Sequence, residues 1–430
     1  MRFLLVILTL LIIPAFGHSA TIQVPADFPT ISLAINAAVN GDVILVAPGT
    51  YTENISFSGK AITVTSTSGA SLTVIDGSKV NSTVLFSNSE LLSSRLDGFT
   101  ITNGDSLEGG GIRCISASPT IANCIIAENN ATFGGGMFIS GASPLVTHCI
   151  FYDNTSITSG GGMRNFFASP TVTHCRFIKN SSTKGAGMDN EAGTPVVTNC
   201  IFAGNWAEGN AGALYNSGNN TNLMNCTLSD NSARFNGGAM ENASASPTIT
   251  NCIIYGNSPD EIYNSGTGSS PSVAFSNVQG GYIGLNNIDA DPVFASTIYG
   301  DLHLQFTSPC RDTGTAAGAP VSDYEDDVRT NPDMGADEFE HHFYCMGQFY
   351  HYGTFAPDAM IHAKIIGIPG TVPLGLFLSA TLRPSPLHHM WGDFFLGSPF
   401  FLIGPLGTIP ATGIKSIMSA VPSSPPGPYD

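Results

Sequence analysis

One turn of the predicted fold is written in residues 134–154, which read Gly134-Gly-Gly-Met-Phe-Ile-Ser-Gly-Ala-Ser-Pro-Leu-Val-Thr-His-Cys-Ile-Phe-Tyr-Asp-Asn154. The stretch holds a glycine triplet, a cysteine and an asparagine five residues after that cysteine. Steps of 25 or 26 residues separate six copies, which begin at Gly109, Gly134, Gly160, Gly185, Ala211 and Gly237. The cysteine column consists of Cys124, Cys149, Cys175, Cys200, Cys226 and Cys252. The asparagine column consists of Asn129, Asn154, Asn180, Asn205, Asn231 and Asn257. Because the glycine, cysteine and asparagine columns all keep the same spacing, the repeat is not a chance similarity.

The repeat length and its composition favour stacked parallel strands. A helical-hairpin repeat needs about 33 residues or more and shows a 3.6-residue periodicity, which these copies lack. Each copy instead contains short runs rich in Ile, Val, Phe and Thr, such as Thr171 to Phe177, between Gly, Asn and Ser turns. The sequence therefore predicts an all-β solenoid with coils about 4.8 Å apart.

Each column then has a physical role. The cysteines and the apolar residues two positions later should point into the core, because alternate residues of a strand share a face. The asparagines end that strand and should hydrogen-bond to the equivalent amide one coil away. A second amide ladder is expected at Asn165, Asn190, Asn216 and Asn242. The glycines serve turns where a Cβ would clash.

Several motifs resemble known families. The Gly237-Gly-Ala-Met240 stretch and the Phe-x-x-Asn pattern of Phe151 to Asn154 resemble the repeats of polymorphic outer-membrane proteins. Those are β-helical surface proteins, many of them autotransporters. The last 90 residues depart from that pattern because they are rich in proline. Autotransport is therefore not carried over to this chain.

The flanks of the repeats resemble pectin-lyase-like right-handed parallel β-helices. The opening match is Gly41 to Asn54, with a short helix near Ile31 to Val39 as a cap. The closing match lies in Asp289 to Phe294, Ser308 to Asp312 and Gly335 to Phe339. The resemblance implies a right-handed single-stranded parallel β-helix over residues 21–340, with clear repeats over 109–266 and closing motifs over 289–340.

The two ends of the chain differ in composition from the repeat region. Residues 1–20 predict a signal peptide, with a basic start, an apolar stretch from Phe3 to Pro14 and cleavage after Gly17 or Ala20. Residues 341–430 predict a small β domain that loosely resembles the β-sandwich modules of secreted proteins. Six of the ten histidines fall there, including His341-His342 and His388-His389. Adjacent histidines of a strand face opposite sides, so no metal site is assigned.

Charge and length limit the partners. Fifteen Lys plus Arg against 32 Asp plus Glu give a net charge of −17, which would repel nucleic acid. The apolar start is too short for a transmembrane anchor. We expect a secreted or cell-surface monomer without a cofactor; calcium is conceivable, but nothing in the sequence supports it.

The enzymes that this fold resembles carry characteristic catalytic motifs. Gly49 to Glu53 matches the first pectin methylesterase motif, but the motifs that should follow are absent. Asp289 and Asp291 fit a terminal turn better than a calcium site. Glycoside hydrolysis needs two carboxylates facing each other across a groove. The acidic residues Glu128, Asp153 and Asp230 share one phase with Lys179, Gly204 and Gly256, which is typical of a solvent-facing column.

One outward column favours ligand binding. It follows the inward aliphatic residue of each Gly motif and mixes cations, aromatic rings and acids, in the order Arg113, Phe138, Arg164, Asp189, Tyr215 and Glu241. Such a stripe can bind a glycan by stacking and by charge-assisted hydrogen bonds. The alternative is a column of ordinary exposed residues. For the whole chain we favour a non-catalytic glycan-binding scaffold; a polysaccharide-active enzyme and a purely structural envelope protein are the alternatives.

Overall fold

The computed structural model describes residues 19–218, 220–296 and 301–339, and beyond them the backbone of three short strands. The chain divides into two compact units, Met1–Phe339 and Glu340–Asp430. In the second unit the strands Phe343–Tyr344, His362–Lys364 and Phe377–Leu378 pair antiparallel. The predicted signal peptide, apart from its last two residues, and the rest of the predicted C-terminal domain lie outside the described residues.

The first unit is an all-β right-handed parallel β-helix whose coils contribute to four parallel sheets. Sheet A contains Thr21–Val24, Val43–Val46, Thr63–Ser66, Arg95–Asp97, Thr120–Ala122, Leu145–Thr147, Thr171–Thr173, Val196–Thr198, Asn222–Met224, Thr248–Thr250 and Ser272–Ala274. Sheet B contains Gly49–Thr52, Thr73–Asp76, Thr100–Thr102, Ile125–Ala127, Ile150–Tyr152, Arg176–Ile178, Ile201–Ala203, Thr227–Ser229, Ile253–Tyr255 and Asn277–Val278.

Two further sheets complete each coil. Sheet C contains Ile55–Ser56, Val84–Phe86, Ile112–Ile115, Met137–Ser140, Met163–Phe166, Met188–Glu191, Leu214–Ser217, Met240–Ala243 and Ile262–Ser265. Sheet D is smaller and contains Asp105–Glu108, Asn130–Phe133, Thr155–Ser159, Ser181–Lys184, Trp206–Asn210 and Ser232–Ala233. Within a repeat the chain runs through sheets A, B, D and C in that order. Sheet D is not predicted by the repeat pattern of the sequence.

Within the six repeats the register follows the repeat, since a residue pairs with the one 25 or 26 positions later, as Phe151 does with Phe177. Identical side chains therefore stack in the core. The rings of Phe151, Phe177 and Phe202 lie parallel with centroids 4.6 Å apart. The six repeat cysteines are buried and are free thiols. Their Sγ atoms contact backbone carbonyls; Cys175, for example, donates to Thr173 O over 3.2 Å.

The asparagine column forms a buried amide ladder. Each Nδ2 donates to the Oδ1 of the next asparagine over 2.8–3.1 Å, from Asn129 through to Asn257. Each Nδ2 also donates to a backbone carbonyl of the preceding coil, as Asn205 does to Phe177 O over 2.8 Å. The carboxylate of Glu261 ends the ladder by accepting from Asn257 Nδ2. The amides that a corner removes from water are thus satisfied inside the protein.

The corners between sheets need left-handed backbone. The residue before each ladder asparagine has a positive φ, between 51° and 77°. This is the column of Glu128, Asp153, Lys179, Gly204, Asp230 and Gly256, whose mixed residues indicated an unselected solvent-facing column. That interpretation was incomplete, because left-handed backbone favours Gly, Asp and Asn over other residues.

A helix covers the first coil of the β-helix, and a later segment covers part of its side. The helix Ile31–Ala37 closes the first coil, and the Glu53 carboxylate accepts from the Ile31 and Ser32 amides over 2.8 and 2.9 Å. This helix, the one found among the described residues, is too short to cross a membrane. After the last coil, residues 301–339, here called the closing segment, fold back along the side of the solenoid. Their apolar residues pack on Ile201 and Ile253, on the outer face of sheet B.

Candidate functional site

The predicted binding column lies in register on the outer face of sheet C. Neighbouring Cα partners run Arg113 to Phe138, Phe138 to Arg164, Arg164 to Asp189, Asp189 to Tyr215 and Tyr215 to Glu241. The six side chains are therefore adjacent, one per coil. Parallel strands of this kind lie about 4.8 Å apart.

The expectation that all six are exposed is wrong. Phe138, Asp189 and Glu241 are only 4%, 1% and 4% exposed. In the middle of the column the cover comes from sheet D, whose strands leave the asparagine corner and return at the glycine triplet; Phe133 lies against Arg164, and Lys184 lies against Tyr215. A Cβ on Gly160 would approach the Cβ of Arg164 to 2.7 Å, so glycine is what allows this close return.

Arg164 is the centre of the covered column. Its guanidinium lies 4.5 Å from the ring centroid of Phe133 in sheet D. It also donates to Glu191 over 2.7 Å and lies 3.8 Å from Asp189. A guanidinium that is only 11% exposed, with carboxylates and a ring around it, is fixed in place. Arg164 therefore organises the surface rather than projecting from it.

The acidic members of the column do not face each other across a groove. Asp189 and Glu241 lie on one face, separated by the coil that carries Tyr215. Burial raises the pKa of the Asp189 carboxyl despite the nearby Arg164. Ser265 donates its hydroxyl to Glu241 over 2.6 Å. Both carboxylates are covered, so a polymer on the outer surface does not reach either of them.

An aromatic surface beside the column was missed in the sequence. Phe166 and Phe167 form an edge-to-face pair with ring centroids 4.7 Å apart, and Phe167 is 64% exposed. Phe167 also has a φ of 49°, at a corner where other coils carry Ser116, Gly141, Ala192, Gly218 or Ser244. The signal in the sequence was an aromatic doublet at a position that small residues otherwise occupy.

The carboxylates of the Gly49 to Glu53 motif and of the Asp289 and Asp291 pair have structural roles. Glu53 caps the first helix with both oxygens. Asp289 accepts from Gly280 N, and Asp291 accepts from Val293 N. Those contacts are turn contacts.

One group of side chains could hold a metal ion. His148, His174 and Asp326 bring potential ligand atoms within 4.8 Å of one another. The imidazole rings stack with centroids 4.6 Å apart, and Asp326 Oδ2 lies 3.2 Å from His148 Nε2. The sequence signal was available, because the two histidines precede Cys149 and Cys175 at the same repeat phase. No metal site was assigned from the sequence.

The repeat and the four sheets agree with a family comparison. The family described as the right handed beta helix region matches residues 49–228 and, in an overlapping placement, 108–278. These placements together span more than half of the chain. This chain belongs to the right-handed β-helix family.

Comparisons with individual proteins are more distant. No curated protein has a significant sequence match to this β-helix protein. Pectate lyase Pel9A aligns with 76% of this chain and 98% of its own length, at 16% identity and a TM-score of 0.44. The pectin methylesterase from carrot aligns with 66% of this chain and 85% of its own length, at 12% identity and a TM-score of 0.33. A mannuronic acid specific polysaccharide family 6 lyase from human gut microbiota aligns with 64% of this chain and 83% of its own length, at 13% identity and a TM-score of 0.36. Likenesses at this level carry no argument about activity.

Proposed function

We propose that this protein is a secreted or cell-surface scaffold that binds an extended glycan without cleaving it. The binding surface is the aromatic face, defined here as Arg113, Phe166, Phe167, Glu191 and Tyr215. These residues belong to sheet C or to the turn that follows it. Behind them the covered part of the predicted column, with Arg164 at its centre, holds the face rigid.

The observation that carries the proposal is the conformation of Phe167. Left-handed backbone costs a residue with a Cβ about 1–2 kcal/mol, and bulky residues adopt it rarely. Burial of the ring does not offset this cost, since Phe167 is largely exposed. Backbone strain that side-chain packing does not offset is typical of functional positions. An exposed ring next to a second ring suits stacking on the apolar face of a sugar.

Polar groups next to the rings suit hydroxyl and carboxylate recognition. Glu191 is fixed by Arg164 over 2.7 Å, and Arg113 is held by Glu108 over 2.8 Å. Lys184 Nζ lies over the ring of Tyr215, 4.6 Å from the ring centroid. The face therefore offers cations and a carboxylate whose positions are set before a ligand arrives, which lowers the entropy lost on binding.

The test is retention of the purified full chain on immobilised polygalacturonate, alginate and neutral polymers, combined with assays for released reducing or unsaturated ends. We expect retention without release. Phe167→Gly is the decisive variant, because glycine is native at this corner in Gly141 and Gly218. It should stabilise the fold by roughly 0.5–1 kcal/mol while weakening retention. Phe235→Ala, which removes another exposed ring, is the matched control.

The outcomes separate the alternatives. Retention that is unchanged in Phe167→Gly would remove the aromatic face from the proposal. Retention on none of the polymers would favour a structural envelope protein. Release of chain ends that disappears in Glu191→Gln would favour a polysaccharide-active enzyme, because Glu191 is the half-exposed carboxylate of the aromatic face, 2.7 Å from Arg164.

A further inference from the structure

The corner before the cysteine column is where the closing segment meets the solenoid. This corner is left-handed in six coils, at Asn123, His148, His174, Asn199, Asn225 and Asn251. The later asparagines bind backbone carbonyls of the closing segment. Asn199 Nδ2 donates to Ser322 O over 2.7 Å, and Asn251 Nδ2 donates to Thr315 O over 2.8 Å. Two histidines thus replace asparagine within a column that docks the segment.

The two histidines present the same atom toward the segment. His148 Nδ1 lies 2.8 Å from Thr147 Oγ1, and His174 Nδ1 lies 2.7 Å from Thr173 Oγ1. Each Nδ1 is therefore occupied by its neighbouring threonine. Both Nε2 atoms face Asp326, at 3.2 Å from its Oδ2 for His148 and at 3.8 Å from its Oδ1 for His174.

The hydrogen-bond network assigns the tautomer of His174. Asn199 is oriented by two contacts, since its Nδ2 donates to Ser322 O while its Oδ1 lies 3.5 Å from Arg329 Nη2. The same Nδ2 lies 3.1 Å from His174 Nε2. An N–H group that faces Nε2 requires a lone pair there, so the proton of the neutral ring is on Nδ1. An imidazole bound to its second shell through Nδ1–H, with a lone pair on Nε2, is the form that binds a metal ion.

We propose that His148, His174 and Asp326 form a binding site for a divalent transition-metal ion, best matched by Zn²⁺, which fastens the closing segment to the solenoid. Two imidazole nitrogens and a carboxylate oxygen are ligands that zinc accepts, with water in the fourth position. Zinc ligands at about 2.0–2.1 Å from the ion lie about 3.4 Å apart. Asp326 already lies 3.2 and 3.8 Å from the two Nε2 atoms, so the spacing that must shorten is the one between the histidines, whose ligand atoms lie within 4.8 Å of each other.

The structure permits that closure. Asp326 is 65% exposed and sits in the turn that Asp323 forms by accepting from the Glu325 and Asp327 amides. The His148 side chain is 36% exposed as well, so its ring can tilt toward His174 while Asp326 follows. Metal binding replaces the hydrogen bond from Asn199 to His174, and Asn199 keeps its bond to Ser322 O. The site is independent of the aromatic face, and its test does not depend on glycan binding.

The experiment measures Zn²⁺ stoichiometry and affinity of the full chain by calorimetry, and Co²⁺ binding by its visible absorption. Because the chain has ten histidines, the decisive quantity is the difference between wild type and variants. His148→Asn and His174→Asn, alone and together, introduce the residue native to this corner in four other coils. We expect the double variant to bind one ion fewer per chain and to lose the corresponding Co²⁺ band.

Asp326→Asn should weaken the same site by roughly tenfold or more, since it removes one of three protein ligands. This exposed substitution also serves if the histidine variants fail to fold. Asp153→Asn neutralises another left-handed surface carboxylate and is the control, with zinc binding unchanged. Zinc should raise the thermal midpoint of the wild type and of the control, but not that of the double variant. Equal zinc stoichiometry in wild type and double variant, or no binding by the wild type, would overturn the site.

Discussion

Asn205 donates from its side-chain Nδ2 to Oδ1 of Asn231 over 2.8 Å, although 26 positions separate the two residues. Asn205 Oδ1 in turn accepts from Asn180 Nδ2 over 3.0 Å. Both amides are buried, so removing one strands a donor and an acceptor away from water. Asn205→Ala should therefore lower the free energy of unfolding by about 1–3 kcal/mol. Chemical denaturation followed by circular dichroism measures this difference.

Lys179→Ala is the control for the amide ladder. Lys179 lies directly before the ladder residue Asn180, in the same left-handed corner, but its side chain points outward. Its contact to the ring of Tyr152 spans 6.0 Å, which contributes little at an exposed site. The change should stay within about 0.5 kcal/mol. Equal denaturation midpoints for Asn205→Ala and Lys179→Ala would contradict a structural role for the ladder.

In the core, the size of the residue in the glycine column is matched to the size of the apolar residue that packs against it. Gly187 faces the core, and a Cβ there would come within 2.9 Å of Phe202 Cδ1. One coil later the equivalent pair is Ala213 and Leu228, both fully buried. The chain thus combines glycine with phenylalanine and alanine with leucine. Gly187→Ala alone should cost about 1–3 kcal/mol by overpacking.

Phe202→Leu should relieve that clash. The double variant Gly187→Ala, Phe202→Leu reproduces the pair found in the next coil. A double-mutant cycle in denaturant should give a favourable coupling energy of about 0.5–3 kcal/mol, because the two substitutions share one contact. Additive effects would mean that the Ala213 carbonyl oxygen, which would lie 2.7 Å from the added Cβ, dominates the cost instead.

The sequence predicted the β-helix well because its decisive signals repeat. Cys149 and Cys175 share a phase, and so do Asn154 and Asn180, and each repetition adds evidence for one register. Sheet D was missed because its strands contain few apolar residues; Ser181–Lys184 reads as a polar turn. The burial of Asp189 follows from that sheet. It could not be read from a column of alternating residues.

The candidate sites were harder to predict because they depend on contacts between distant segments. The position of His148 relative to His174 follows from the repeat, but Asp326 joins them only through the return of the closing segment. Phe167 is similar, since the strain at this position becomes evident only when its φ is known. Repeat phase predicts which residues are neighbours along the solenoid. It does not predict what later covers them.

The stacked cysteines should remain free thiols. Equivalent Cβ atoms of adjacent parallel coils lie about 4.8 Å apart, beyond the 3.5–4.5 Å that a disulfide requires. Burial also raises the pKa of the Cys149 and Cys175 thiols, which disfavours the reactive thiolate. We expect no labelling of these thiols in the native state. In denaturant the thiol count should be the same with and without reductant, and a rise of four or more on reduction would contradict the stacked column.

The closing segment should make stability depend on pH through Asp337. Burial raises the pKa of this carboxyl to about 7, although His303 favours its charged form and Leu304 N donates to it over 2.9 Å. Because the unfolded pKa is near 3.8, the folded state binds more protons between pH 4 and pH 7. The free energy of unfolding therefore falls as the pH rises through this interval and levels off above it.

The variant Asp337→Asn keeps an acceptor for Leu304 N but does not titrate, so its curve of unfolding free energy against pH should be flatter. At pH 8 the variant should exceed the wild type by on the order of 1–4 kcal/mol relative to their difference at pH 4. Residual slope is expected from Glu338 and Glu261, whose pKa values burial also raises to about 7. Denaturation at several pH values measures the curves, with the exposed Asp312→Asn as the control, and parallel curves for Asp337→Asn and wild type would show that Asp337 is ionised in the folded protein throughout.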